Sequence, residues 1–390
     1  MDWHNHLAAQ LSAAESQHLR RYRNILDGPQ GARVVIGGQQ LTNFSSNDYL
    51  GFANHPLIAE AVINAAKEWG VGSGASHLVC GHQAINQKFE ADFSDFVEAE
   101  SAVLFSTGYM ANFAVLNSFF DRDGLILQDK LNHASLIDAG RLSRAELKRY
   151  KHLDMEVLER QLVEKNDRLT LVATDAVFSM DGDMAPIHKI SELAKNHGAI
   201  AYFDDAHGFG VLGKEGKGSL NAAGMKPQGN NLVLATMGKA MGSFGAVVAG
   251  DKVFIDSLIQ NARPYIYTTA LPPTVVAANA SALNILQEEN WRLAKLHKLI
   301  QYFRESVLDL NLDLMQSDTA IQPLIIGSND KALSSSQALR ELGFLVTAIR
   351  PPTVPVGTAR LRITLTANHS IEDVDRLCEA LALLKQKELV

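Results

Sequence analysis

The sequence predicts an α/β layered fold, with a large domain built on a mostly parallel central sheet and a smaller C-terminal α+β domain. Three observations carry this expectation. Short, unbroken apolar runs alternate with helical patterns from about residue 100 to residue 250, as strands covered on both faces of a parallel sheet should read. Many of these runs give way to glycine, serine, histidine or aspartate, at the strand ends where such sheets bind ligands. Beyond residue 310 come three such runs, with helices between and after them. The expected division is an N-terminal helix and arm over 1–45, a large domain over 46–285 and a small domain over 286–390.

The elements follow in order. Trp3, Leu7, Leu11 and Ala14 share helical spacing, and the chain then turns basic at Arg20, Arg21 and Arg23. Gly-Pro and Gly-Gly steps mark 28–38 as a connector with short extended pieces. The strands of the large domain are expected at 102–105, 125–128, 169–173, 199–203, 231–235 and 246–249. The first leads through Ser106-Thr107-Gly108 into a helix from Tyr109. The second leads through Asn132-His133-Ala134-Ser135 into another, and the third precedes the loop 179–183. Residues 281–310 read as a long helix with room for an interruption. Strands at 321–326, 345–349 and 360–364 complete the small domain.

Composition narrows the function classes. A chain of 390 residues that is 46% apolar and 20% charged is an ordinary globular protein with material for two domains. Its net charge of −7 argues against a nucleic-acid surface while leaving room for a local basic pocket. Cys80 and Cys378 are too far apart for a disulfide framework or a zinc spacing, which points to a reducing compartment. The first residues lack the basic-then-apolar order of a signal peptide. No run reaches the roughly 18 apolar residues of a membrane span. A cytoplasmic protein with no membrane partner is expected.

The chemistry-bearing residues gather at strand ends. Lys239 stands in Thr236-Met237-Gly238-Lys239, just beyond the 231–235 run. Asp204-Asp205-Ala206-His207-Gly208 closes the 199–203 run. A lone lysine is usually a solvated surface residue. A lysine delivered opposite an acid suits instead a Schiff base to pyridoxal phosphate (PLP), with the acid paired to the pyridine nitrogen. Ser106-Thr107-Gly108-Tyr109 is a phosphate candidate, since glycine admits close approach and the next helix offers free N–H groups. Thr236 adds a hydroxyl to the same group.

Two rival readings fail on local grounds. Gly208-Phe209-Gly210-Val211-Leu212-Gly213 is a literal GxGxxG, but a loop and not a helix follows it, against nicotinamide binding. Asp204, Asp205 and His207 form one sparse cluster with no second histidine at metal spacing, so no metal is expected.

Together these residues resemble the α-oxoamine synthases, a PLP-dependent family of transferase fold type I that joins an amino acid to an acyl thioester with loss of carbon dioxide. The likeness spans essentially the whole chain. It rests on Asn43-Phe44-Ser45-Ser46-Asn47-Asp48-Tyr49-Leu50-Gly51, Phe178-Ser179-Met180-Asp181-Gly182-Asp183, the 204–208 motif and the 236–239 motif. The stretch 347–362, from Thr347 through Arg350-Pro351-Pro352-Thr353 to Arg362, is similar to the branch that condenses L-alanine with a pimeloyl thioester in biotin synthesis. The acyl carrier, coenzyme A or acyl carrier protein, stays open. Rival readings are relatives using glycine with acetyl-CoA or succinyl-CoA, and a non-catalytic partner subunit.

The resemblance implies roles. Lys239 would anchor PLP and then move the substrate Cα proton, with Asp204 on the ring nitrogen, His133 stacked on the ring, His207 near the phenolic oxygen and Ser179 positioning ring or substrate. Gly108, Tyr109 and Thr236 fall at the phosphate, and Thr268 and Thr269 would reach it from a second subunit, implying a homodimer with shared sites. Arg362, with Asn47, would grip the alanine carboxylate. Arg21, or its neighbours Arg20 and Arg23 if the register slips, and Thr353 would meet the acyl chain. One departure is His77, where many relatives carry arginine.

Overall fold

The computed structural model describes residues 2–390. It resolves into two compact units, one of residues 52–179 and 183–293, the other of residues 2–51, 180–182 and 294–390.

The first unit holds a seven-stranded sheet. Across it run Ser101–Phe105, Ala246–Gly250, Asn231–Thr236, Ile200–Asp204, Thr170–Asp175, Leu125–Asp129 and Glu146–Tyr150. Ala246–Gly250 is antiparallel to both its neighbours, and every other pairing is parallel. The expected α/β class and mostly parallel sheet are thus borne out. Leu125–Asp129 and Thr170–Asp175 are buried at every position, which explains their unbroken apolar character. Val103, Ile126, Leu171, Leu234 and Val248 from the sheet meet Ala111, Val115, Leu136 and Ile255 from helices in one core.

Glu146–Tyr150 was not expected. It is an edge strand of sequence Glu-Leu-Lys-Arg-Tyr in which only the tyrosine is fully buried, so it carries no apolar run. The helix expected over 281–310, with room for an interruption, is two helices, Pro273–Glu288 and Trp291–Leu308, interrupted at Glu289 and Asn290.

The second unit has two small sheets. In one, Ala359–Thr364 lies between Ile321–Gly327 and Thr347–Ile349, antiparallel to both. In the other, the hairpin Arg33–Ile36 and Gln39–Asn43 pairs in parallel with Phe344–Leu345. Gly37 and Gly38 make that hairpin's two-residue turn, both at positive φ, as the tight turn that matches strand twist demands. The single strand expected over 345–349 is therefore two, serving different sheets. The arm expected as a separate 1–45 segment groups with the C-terminal third of the chain, because Gln39–Asn43 finds its parallel partner there. The helix Trp3–Ser16 buries no side chain within the unit. Among the described residues no helix is long and apolar enough to cross a membrane.

Candidate active site

Lys239 follows the strand Asn231–Thr236 on a tight turn. Met237 N–H donates to the Gly245 carbonyl (2.9 Å), Ser243 N–H to Met237 (2.8 Å) and Gly242 N–H to Lys239 (2.8 Å). Gly242 has φ +61°, and a Cβ there would come within 2.3 Å of the Ala53 nitrogen, so the turn requires glycine. Lys239 is half-buried and lines a cavity of about 190 Å³ with Gly108, Tyr109, His133, Ser135, Asp175, Ser179, Asp204, Ala206, His207 and Thr236. Eight of the predicted cofactor residues thus meet in one place.

Asp204 ends the neighbouring strand and is buried. Its carboxylate accepts from Asn112 Nδ2 (2.7 Å) and from the Ala206 N–H (3.1 Å). Asn112 also donates to Ser135 Oγ (2.8 Å) and accepts from the Tyr202 hydroxyl (2.8 Å). Asp204 is thereby fixed in orientation by an amide that Ser135 and Tyr202 in turn hold in place.

His133 caps the helix Ala134–Leu142. Its Nδ1 accepts from the Ser135 N–H (3.3 Å) and faces Ser135 Oγ (2.7 Å), while the His133 backbone N–H donates to Asp175 Oδ2 (2.8 Å). The ring is open to the cavity, yet loss of water around it lowers its pKa below the ordinary value; Asp204 opposes that shift and Lys239 reinforces it. A neutral ring, with Nδ1 as acceptor, is the state this geometry selects.

Three site residues escaped the sequence reading. Asp175 lies in register beside Asp204 on the adjacent strand and lines the cavity. Burial drives its pKa well above the ordinary value, Asp204 adds to this, and the His133 N–H and Lys239 oppose it. It sits at a strand end just as Asp204 does, so the same rule could have found it. Ser135 is named in the helix start but was given no role. Asn112 lies within the helix Gly108–Ser118, and no local pattern marks it.

The phosphate candidates are geometrically coherent. Thr107 caps the helix Gly108–Ser118, accepting from the Met110 N–H (3.1 Å). A Cβ on Gly108 would stand 2.9 Å from Thr236 Cγ2, so glycine keeps this end of the cavity open. Tyr109 donates to Asp138 (2.7 Å).

The remaining candidates lie elsewhere. Thr268 donates to the Pro264 carbonyl and Thr269 bridges Ser76; neither is among the cavity residues of this single chain. In the other unit, Arg362 donates to Asn47 Oδ1 (3.1 Å) and Thr364 Oγ1 (3.1 Å), and Arg21 donates to Thr353 Oγ1 (3.2 Å). His77 stacks on Tyr265 with ring centroids 4.5 Å apart, and its Nδ1 faces His82 Nδ1 (2.9 Å). Burial first, then His82, pushes its pKa down to about 4, so it carries no positive charge at neutral pH.

A fold with acid and lysine at adjacent strand ends beside a glycine-opened helix now meets its relatives. The chain belongs to the aminotransferase class I and II family, whose sequence profile matches residues 39–381. Within that family it is 49% identical over 375 residues to the 8-amino-7-oxononanoate synthase of Methylococcus capsulatus, covering 96% of this chain and 97% of that one. It is 50% identical to the enzyme of the same name from Stutzerimonas stutzeri, covering 96% of each. Among solved structures, serine palmitoyltransferase from S. paucimobilis with a bound PLP–myriocin aldimine superposes with a TM-score of 0.93 at 25% identity, covering 100% of this chain and 99% of that one. The 8-amino-7-oxononanoate synthase of Francisella tularensis gives 0.77 at 30% identity, covering 90% and 99%.

Proposed function

We propose that this chain is a PLP-dependent acyltransferase that condenses L-alanine with a pimeloyl thioester, releasing carbon dioxide and the free carrier to give 8-amino-7-oxononanoate for biotin synthesis. The observation that supports this most is the convergence of Lys239, Asp204, His133 and His207 on one cavity, in a chain about half identical to enzymes of that name.

The cavity fits the cofactor. A buried carboxylate oriented from behind suits a protonated ring nitrogen. A helix start kept open by glycine suits a phosphate. Lys239 enters the same space, so its Nζ would hold the cofactor while Asp204 holds the ring nitrogen and His207 the phenolic oxygen. His133 and Ser179 would border the ring, and Gly108, Tyr109 and Thr236 the phosphate. When bound, PLP supplies the electron sink that makes a carbanion at the alanine Cα, and later the loss of carboxylate, accessible.

The chain's own groups do the rest. The Lys239 amine takes the Cα proton of alanine and returns a proton to the product. Asp204, held by Asn112 and the Ala206 N–H, keeps a negative charge directed at the ring nitrogen. Arg362, oriented by Asn47 and Thr364, forms a two-pronged grip on the alanine carboxylate. Arg21 and Thr353 meet the acyl chain, whose far carboxyl group calls for a cation. Thr268 and Thr269 complete the phosphate site of a partner copy, making the working form a cytoplasmic homodimer.

The test is mass spectrometry of the product formed from alanine and pimeloyl-CoA, repeated with the pimeloyl group on acyl carrier protein. The expected product is 8-amino-7-oxononanoate. Turnover with glycine and acetyl-CoA, and none with alanine and either pimeloyl donor, would overturn the substrate assignment.

A further inference from the structure

Behind the cavity, and outside its lining, stands His152. It directly follows Lys151 after the edge strand Glu146–Tyr150, and about a quarter of its side chain is exposed. Its Nδ1 lies 3.0 Å from Asp129 Oδ1 and its Nε2 lies 2.8 Å from Asp183 Oδ2. Its ring meets Phe178 edge-on at 4.5 Å. Carboxylates only accept hydrogen bonds, so both ring nitrogens must donate, and only the imidazolium can do that. Burial opposes the charged form, but the hydrogen bonds to Asp129 and Asp183 prevail and raise the pKa to about 10.

Each of these aspartates belongs to one loop of the cavity. Asp129 is fully buried at the end of Leu125–Asp129. Besides His152 it accepts from the Leu131 N–H (2.8 Å) and the Leu153 N–H (2.8 Å). It thus sets the course of residues 130–133, which end at His133. Within that loop Asn132 Nδ2 donates to the Ala173 carbonyl (2.8 Å), and its Oδ1 accepts from the Asp175 N–H (3.1 Å). Asp183 closes the other loop. Its carbonyl accepts from the Phe178 N–H (2.9 Å), and Val177 bridges Met184. Ser179, a cavity residue, follows directly on that closure.

We infer that His152 is a positioning residue for the cofactor: as an imidazolium bridging Asp129 and Asp183, it fixes the loop that presents His133 relative to the loop that presents Ser179. It touches neither ring nor substrate and acts only through those two walls. The inference rests on the cavity being the PLP site.

The test uses full-length protein stripped of PLP and titrated with PLP, followed by the visible circular dichroism of the bound cofactor. His152→Gln leaves a neutral side chain whose two donors share one nitrogen, so it cannot span the two carboxylates as the two ring nitrogens do. The expected result is PLP affinity weaker by about tenfold or more, the scale of one charge-assisted hydrogen bond lost from the site's support, together with a changed dichroism band. Asp183→Asn, a milder change, should shift both readouts the same way and carries the test if His152→Gln does not fold. A residue that served stability alone would lower the unfolding midpoint and leave affinity and band at wild-type values in the folded protein. That outcome in both variants would overturn the inference while leaving the functional proposal standing. A wild-type chain that binds no PLP would overturn both.

Discussion

The cavity around Lys239 and the arginine pairs of the other unit use charge in opposite senses. Around Lys239, two carboxylates from adjacent strands, Asp175 and Asp204, lie in register and buried. Burial first, then this crowding, raises the pKa of Asp175, and the nearby Lys239 opposes that shift, so the pair suits a lysine and a protonated ring nitrogen. In the other unit, Arg362 is buried on the central strand Ala359–Thr364 and donates to the neutral side chains of Asn47 and Thr364. Arg21 is exposed on irregular chain and donates to a single hydroxyl. These arginines suit anions, which under the proposed function would be the carboxylates of the two substrates. The contrast teaches that the cofactor grip and the proposed substrate grip are separable, and that Arg362 is the more rigidly held of the two arginines.

The most forceful way to break this comparison is Lys239→Ala. Turnover should fall by about 10²–10⁴-fold or more, the scale of a lost acid–base group, and borohydride should no longer fix cofactor to the protein. A reducible linkage surviving in this variant would place the anchor elsewhere. Next in size is Arg362→Ala, which should raise the KM for alanine about tenfold to a hundredfold while the bound cofactor keeps its absorbance. Cofactor lost in parallel would erase the distinction between the two grips. Arg21→Ala should be milder, raising the KM for pimeloyl-CoA by at most about fivefold, as expected of an exposed charge, with the KM for alanine unchanged. If Arg20→Ala or Arg23→Ala has that effect instead, the register of the arm shifts accordingly.

The smallest effect is on pH. His152 has a folded pKa raised from 6.5 to about 10. A raised pKa contributes stability fully below the unfolded value and loses it as pH climbs through the folded one. The stability difference between wild type and His152→Gln should therefore be largest below about pH 6.5, shrink steadily above it, and vanish beyond about pH 10. Urea midpoints across that range measure it. A difference that grew with pH would contradict the bridging imidazolium.

Much of the cavity was legible because its chemistry sits at the ends of apolar runs, and such runs announce themselves. Lys239, Asp204, His133 and Gly108 were all found by that rule. Asn112 was not, since it lies inside a helix and matters only because Asp204, 92 residues further on, comes to rest against it. Glu146–Tyr150 hid because an edge strand need not be apolar. The division of 345–349 between two sheets, and the grouping of the N-terminal arm with the C-terminal third, depend on which distant strand each segment pairs with. No local pattern records that choice.

The antiparallel strand Ala246–Gly250 has a consequence for synthesis on the ribosome. Ser101–Phe105, which leads to Gly108 and the phosphate end of the cavity, pairs in the sheet with that strand alone. Gln39–Asn43 likewise waits for Phe344–Leu345 to extend its small sheet. A nascent chain that has emerged only to residue 240 already carries Lys239, Asp204 and His133, yet the strand before Gly108 still has no partner. Unpaired strand edges of this kind invite association with other chains. The large sheet can therefore take up Ser101–Phe105 only after residue 250 has been made, and the small sheet its third strand only after residue 345.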